Sequence, residues 1–436
     1  MSKFKCEVTL QQVTPMIHFQ AEDYGACLRA TDVKPRLDKY LSEREDIKSA
    51  WYIDQEKKGA LDYRVCFSIG EHPKAYRSNE KNKNIKNLGP QVVFPEYFQD
   101  EYIELPKAYF GNMTSKKDAH EKYLDYLNIY REAVLFETEI LMTIFSEHSD
   151  LLEIIRNNIE DFFLVNNFGT RSDKGLGSFY VSKVDDKDMT PSVEKIKNVV
   201  RRDVYKISLK PELQLTDVGI FSRTYKDKKG KTRYEKNCLD IINSMYSNMK
   251  SGHSIPKPPV TGYLLEEYYS GKRNDRDFVK DVVFDGGKQG DSYQYFRVYL
   301  GLCDHMDFLK GKYEGRCVKV TAVNRTTHEE IIDERKKIDR IPSPILFKVI
   351  PNEIVVIPEY DLSEEIKRRV QNISFKFVEN AEGAEPFYLE APADFSIDKF
   401  FKEFVKDQNH SEIFVSKDIK NVKLTKEKYK AEGGHK

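Results

Sequence analysis

One stretch in the first half of the chain, NNFGTRSDKGLGSFYV (166–181), gathers the residue types that hold a phosphate. Gly169, Gly175 and Gly177 let the main chain approach a ligand and turn through positive φ. Arg171 and Lys174 supply two cations, and Ser172 and Ser178 two hydroxyls, beside backbone amides that can form an anion-binding nest. A plain helix cap and turn with solvated charges has the same composition, so both readings stand open. No Gly-Lys-Ser/Thr follows, so this is not a Walker loop. It comes after a helical pattern rather than a strand, so it is not a dinucleotide fingerprint either.

Other chemistry is sparser. His18 closes the first strand pattern, close in sequence to Arg29 and Lys34. Metal-independent RNA cleavage needs such an acid/base group, plus cations for the charge on phosphorus. No second histidine, tyrosine or lysine stands at a spacing that marks it as a partner of His18, so cleavage is not expected, and Asp23 adds little. Cys303, His305 and Cys317 give three possible metal ligands without a clear fourth, and core cysteines explain them better. FDGGKQGD (284–291) lacks the paired acids that would bind two metals, and a turn suffices. Tyr76, Tyr225 and Tyr234 interleave with basic residues, a composition suited to base stacking beside phosphate contacts.

The elements that must position these groups follow from periodicity. Alternation predicts strands over 4–19, 134–145 and 177–184. Thr31 or Asp32 can cap a helix running to about Leu41, with Pro35 in its first turn. Residues 149–169 read as a helix, with Ser149 as cap candidate, apolar positions at 151, 152, 155, 159, 162 and 163, and Gly169 at the end. An irregular insertion separates the halves of this pattern at about 48–130, with a helix expected at 121–130. The order is that of a ferredoxin-like βαββαβ module. Beyond 200 the pattern repeats with insertions: strands at 203–213, 293–302 and 317–323, a hairpin at 343–360, and helices at 237–252 and 396–408. The expected fold is α+β, with two tandem ferredoxin-like (RRM-like) domains at 1–200 and 201–415 and a disordered basic tail at 416–436.

Composition sets the limits. The chain has 436 residues, enough for two cores, and no apolar run near the roughly 18–20 residues that span a bilayer. With no signal-like opening and six scattered cysteines, a cytoplasmic protein with reduced thiols is expected. Lysine plus arginine and aspartate plus glutamate both total 71, so bulk charge points to no polyanion. The distribution is uneven. Residues 195–236 hold 13 basic and 5 acidic side chains, including an exposed basic loop at 222–236.

A helix followed by Gly-x-Arg-Ser-x-Lys-Gly-x-Gly-Ser and a strand resembles the glycine-rich loop of the RAMP superfamily of CRISPR systems. VTPMIHF (13–19), LRATDVKPRL (28–37), YFRVYLGL (295–302) and RIPSPILFKV (340–349) resemble further segments of that family, in the same order. The similarity is greatest to the first-numbered subunit of the type III-B Cmr effector complex. The insertion is longer than the family's pattern, and LRATDVKPRL stands where a version richer in glycine and arginine is usual. The resemblance implies a non-catalytic subunit without a cofactor, holding guide or target RNA beside other effector subunits. Arg29, Lys34 and Arg36 would then join Gly169, Arg171, Ser172, Lys174, Gly175, Gly177 and Ser178 as RNA contacts. A stand-alone RAMP-type endoribonuclease using His18, or a protein-interaction cap with little RNA contact, are the alternatives.

Overall fold

The computed structural model describes residues 3–17, 28–69, 133–134, 139–209, 224–226, 232–234, 238–252, 262–270, 273–288, 293–301, 305–308, 312–329, 331, 341–416 and 420–430. It is an α+β protein of several antiparallel sheets. Two compact units interleave along the chain. One comprises Met1–Asn243, Phe347–Val356 and Phe414–Lys436; the other comprises Ser244–Leu346 and Ile357–Ile413.

The first unit opens with β1 (Lys5–Gln12), whose alternate residues Cys6, Val8 and Leu10 are buried. Helix α1 (Ala30–Arg44) starts after Arg29 rather than at Thr31 or Asp32. Pro35 therefore lies inside the helix, one turn later than its chemistry favours. Val33, Leu37 and Leu41 still give α1 a continuous buried stripe. After β2 (Arg64–Ile69) come β3 (Ile140–Phe145), α2 (Ser149–Leu164), β4 (Phe179–Val184) and the short β5 (Lys187–Asp188). The sheet order is β2-β3-β1-β4-β5, antiparallel throughout.

Helix α2 buries Leu151, Leu152, Ile155, Ile159, Phe162 and Phe163, the positions its periodicity marked. Each such side chain stabilises by about 1.5–3 kcal/mol over an exposed one, so the helix and the point where it ends are firmly placed. It ends at Leu164, before Gly169, and Ser149 is its first residue rather than its cap. The Tyr40 ring meets Phe162 edge-on at 5.6 Å and ties α1 to α2 over the sheet.

Helix α3 (Val193–Val200), capped by the Ser192 hydroxyl, leads to β6 (Val204–Ser208), and α4 (Cys238–Lys250) follows. The basic stretch 222–236 contains a two-stranded ribbon, Thr224–Lys226 against Thr232–Tyr234, where a loop was expected. The second unit holds β7 (His305–Asp307) and β8 (Cys317–Asn324). The hairpin of β9 (Ile345–Ile350) and β10 (Glu353–Pro358) returns mainly to the first unit. Then come α5 (Tyr360–Val370), β11 (Ile373–Glu379), β12 (Phe387–Leu389) and α6 (Ile397–Phe404) of the second unit. The final strand β13 (Thr425–Glu427) pairs with β6. Strands beyond 200 thus fall into two main sheets, β9-β10-β6-β13 and β7-β8-β11-β12.

Two expectations are corrected. Residues 293–302 are not one strand: a two-residue pair at Tyr293–Gln294 gives way to a 3-10 helix at Phe296–Leu300. Phe296, Val298, Tyr299 and Leu300 are all buried, so no alternating face exists to favour a strand. Within 416–436, expected to be disordered, the described residues 420–430 are held in place. Val422 and Leu424 are buried, Lys426 pairs with Asp203, and the Tyr429 amide donates to Asp203 at 2.8 Å. The helix expected at 121–130 and most of the insertion lie outside the described residues. Among the described residues, no helix is long and apolar enough to cross a membrane.

Candidate nucleic-acid interface

The glycine-rich loop leaves α2 over an aromatic floor. Phe168 is buried against Phe162, Phe163 and Phe179, at ring centroid distances of 5.2–6.1 Å across this cluster. That floor holds both loop ends, because the Phe168 amide donates to the Gly177 oxygen at 2.9 Å. Thr14, at the end of β1, then braces the loop from below. Its hydroxyl donates to the Gly175 oxygen at 2.6 Å and accepts from the Ser178 amide at 2.9 Å. The Gly177 amide donates to the Pro15 oxygen at 2.8 Å.

Strand β9 supports the other side. The Phe347 amide donates to the Asp173 oxygen at 2.9 Å, and Lys174 bridges Phe347 in parallel. Asn167 donates from one side-chain nitrogen to Ser172 and Phe347 carbonyls, each at 2.8 Å. The buried Ser178 hydroxyl donates to the Val349 oxygen at 2.7 Å, so it is occupied within the protein. The amides of Lys174, Gly175 and Gly177 also have internal acceptors, which removes them from an anion nest. Composition suggests those groups for the ligand; the geometry commits them to rigidity.

What the loop presents is Arg171. It is half-exposed in the left-handed region, φ 60°, and among the described residues its guanidinium has no hydrogen-bond or ion-pair partner. Gly177 has φ 62°, and a Cβ there would lie 1.8 Å from the Phe168 oxygen, so only glycine fits. Gly175 has φ 84°, and a Cβ would meet the Ile242 Cδ1 at 2.6 Å.

The α1 candidates divide. Arg36 joins the loop: its guanidinium donates to the Asn167 oxygen at 2.7 Å and lies over the Phe168 ring, 5.4 Å from its centroid. Lys34 turns elsewhere, donating to the Asp38 carboxylate at 2.8 Å and the Leu61 oxygen at 2.7 Å above the Tyr63 ring. Arg29 is the N-cap residue of α1, its amide 3.3 Å from the Asp32 carboxylate. His18, Asp23, Tyr76 and Cys303 lie outside the described residues. Tyr225 faces Arg233 in register across the short ribbon. His305 faces Lys319, and Cys317 faces Asp307, across the β7–β8 pair. Asp285, in the Gly-Gly turn, is taken up by Lys312 and Tyr313, which hold its carboxyl below the usual range.

One residue escaped sequence inspection. Lys348 is fully buried under the loop, its ammonium 2.9 Å from the Asn166 oxygen, 2.8 Å from the Phe179 oxygen and 3.2 Å from the Asn167 side-chain oxygen. Three donors meet three acceptors, two just past the C-terminus of α2 and one at the start of β4. Burial pushes its pKa well below that of an ordinary lysine. The signal was a lone lysine inside the apolar run ILFKVI.

The family model described as Cmr1 N-terminal domain matches residues 3–253, and the one described as Cmr1 C-terminal domain matches 224–428. Among solved structures, Cmr1 from Pyrococcus furiosus in its apo form aligns at 9% identity. That alignment covers 47% of this chain and 66% of that one, with a TM-score of 0.25. A chain of the type III-B Cmr-beta complex bound to cognate target RNA aligns at 13% identity over 81% of this chain and 94% of that one, with a TM-score of 0.35. A second state of that complex, with AMPPnP and in the presence of ssDNA, gives 13%, 84%, 99% and 0.34. No curated protein matches the chain.

Proposed function

The chain belongs to the Cmr1 family, and from that premise we propose that it is a non-catalytic, RNA-binding RAMP subunit of a type III-B effector complex. The guide or target RNA runs past the glycine-rich loop, and Arg171 meets a phosphate. The observation that carries this reading is the contrast within the loop. The amides of Lys174, Gly175, Gly177 and Ser178 and the Ser178 hydroxyl are bonded internally, while the Arg171 guanidinium is unpaired among the described residues. A cation held on a rigid frame loses little entropy on meeting a phosphate. Arg36, braced on Asn167 and Phe168, keeps a second cation at the loop's base. Lys34 is engaged by Asp38 and Leu61 and drops to a structural role in this account.

The element order β1-α1-β2-β3-α2-β4, with the sheet order β2-β3-β1-β4, supports reading the first unit as a ferredoxin-like module. We take the strands beyond 200 as a divergent second copy. Ultraviolet cross-linking of labelled RNA to the assembled complex, followed by peptide mapping, checks the proposal. Adducts on 166–181 are expected; adducts elsewhere with none on this peptide would contradict it.

A further inference from the structure

The second unit carries an open sheet face with the groups of a single-strand nucleic-acid platform. In the sheet β7-β8-β11-β12 the inward residues, among them Val318, Val320, Phe375, Phe377 and Leu389, are buried. The opposite face holds several cross-strand rows, with Asp307 against Cys317 at its β7 end and two others beside it. One runs Thr321, Lys376, Tyr388; the other runs His305, Lys319, Val378. All six are exposed or half-exposed, none is acidic, and among the described residues neither the Lys319 nor the Lys376 ammonium has a side-chain partner.

An aromatic stack completes the first row. The His328 ring lies flat on Tyr388, centroids 3.9 Å apart and planes 9° from parallel. His328 is exposed and in the left-handed region, φ 58°, a conformation that costs about 1–3 kcal/mol unless the surroundings enforce it. They do. The Asn324 carboxamide oxygen accepts from the Thr326 and Thr327 amides at 2.8 and 3.0 Å, and the Asn324 carbonyl accepts from the His328 amide at 2.9 Å. The turn thus presents an imidazole face to solvent, one strand away from Lys376. Stacked rings beside unpaired ammoniums match bases and phosphates together.

We propose that this face binds single-stranded RNA, a base stacking on His328 over Tyr388 and phosphates meeting Lys376 and Lys319. The inference rests on reading the chain as an RNA-binding subunit, and adds a site separate from the glycine-rich loop. It is tested by titrating the full-length chain with a fluorescein-labelled 12-nucleotide uridine RNA over a range of salt concentrations. The variants are Lys319→Ala with Lys376→Ala, His328→Ala with Tyr388→Ala, and Arg171→Ala with Lys174→Ala in parallel, each checked for folding by thermal melting. The lysine pair should lower affinity and flatten the log-log salt slope by about 1.4, at about 0.7 per phosphate neutralised. The ring pair should weaken binding roughly tenfold or more at an unchanged slope, because stacking releases no counterions. Wild-type affinity and slope in the lysine pair would overturn the inference even if the ring pair failed to fold. Loss in the loop variant alone would remove this site and keep the loop. Loss in the sheet variants alone would do the reverse, and a wild-type chain that binds no RNA would remove both.

Discussion

Lys348 and Asn167 bind each other's strand and loop. The Lys348 ammonium lies 3.2 Å from the Asn167 side-chain oxygen, while the Asn167 side-chain nitrogen donates to the Phe347 carbonyl at 2.8 Å. The glycine-rich loop is thereby fastened to β9, although the two are about 180 residues apart in sequence. This fastening turns a flexible composition into a fixed platform for Arg171.

Replacing Lys348 with methionine keeps most of the volume and removes the ammonium from three oxygens, two of them in buried hydrogen bonds. The expected loss is about 1–3 kcal/mol, the usual cost of leaving buried acceptors unpaired. Chemical denaturation measures it directly. Equal or greater stability in Lys348→Met would mean that desolvating the ammonium costs more than its hydrogen bonds return.

The same residue sets a pH dependence. Its pKa is lowered in the folded state, so between that value and about 10.5 the unfolded chain binds more protons. Stability from this group therefore rises with pH through that window. The difference in unfolding free energy between wild type and Lys348→Met should grow in favour of wild type as pH rises towards 10. A difference independent of pH would show that Lys348 titrates normally.

Gly177→Ala and Gly175→Ala should differ in severity. Both positions have positive φ, which costs about 1–3 kcal/mol for a side chain. At Gly177 the new Cβ strikes the Phe168 main-chain oxygen, which cannot move without opening the loop, whereas at Gly175 it meets only the tip of Ile242. Melting temperatures should fall further for Gly177→Ala; the reverse order would contradict the geometry.

Periodicity made the α2 stripe and the strands around it legible, because burial on one face leaves a repeating mark at Leu151, Ile155, Ile159 and Phe162. The glycine-rich loop was legible in its turns, since Gly169, Gly175 and Gly177 all take positive φ, but not in which of its groups stay available. Ser178 reads as a ligand hydroxyl until Val349, 171 residues away, claims it. Long-range partners of this kind leave no local trace. Lys348 was hidden for the same reason, since its acceptors belong to 166–167 and 179. At Phe296–Leu300, continuous burial erased the period that distinguishes strand from helix. Around Val422 and Leu424 the many lysines hide order, because only the burial of these two residues marks it.

The salt dependence of RNA binding by the full-length chain tests the central claim most directly, with wild type compared against Arg171→Ala combined with Lys174→Ala. The Arg171 guanidinium takes no part in the loop's frame among the described residues, and thermal melting checks that the variant folds. Its affinity should drop, and its log-log salt slope should flatten by about 0.7 for each phosphate no longer neutralised, about 1.4 if both cations engage. A variant that folds normally and keeps wild-type affinity and slope would show that the glycine-rich loop does not hold RNA.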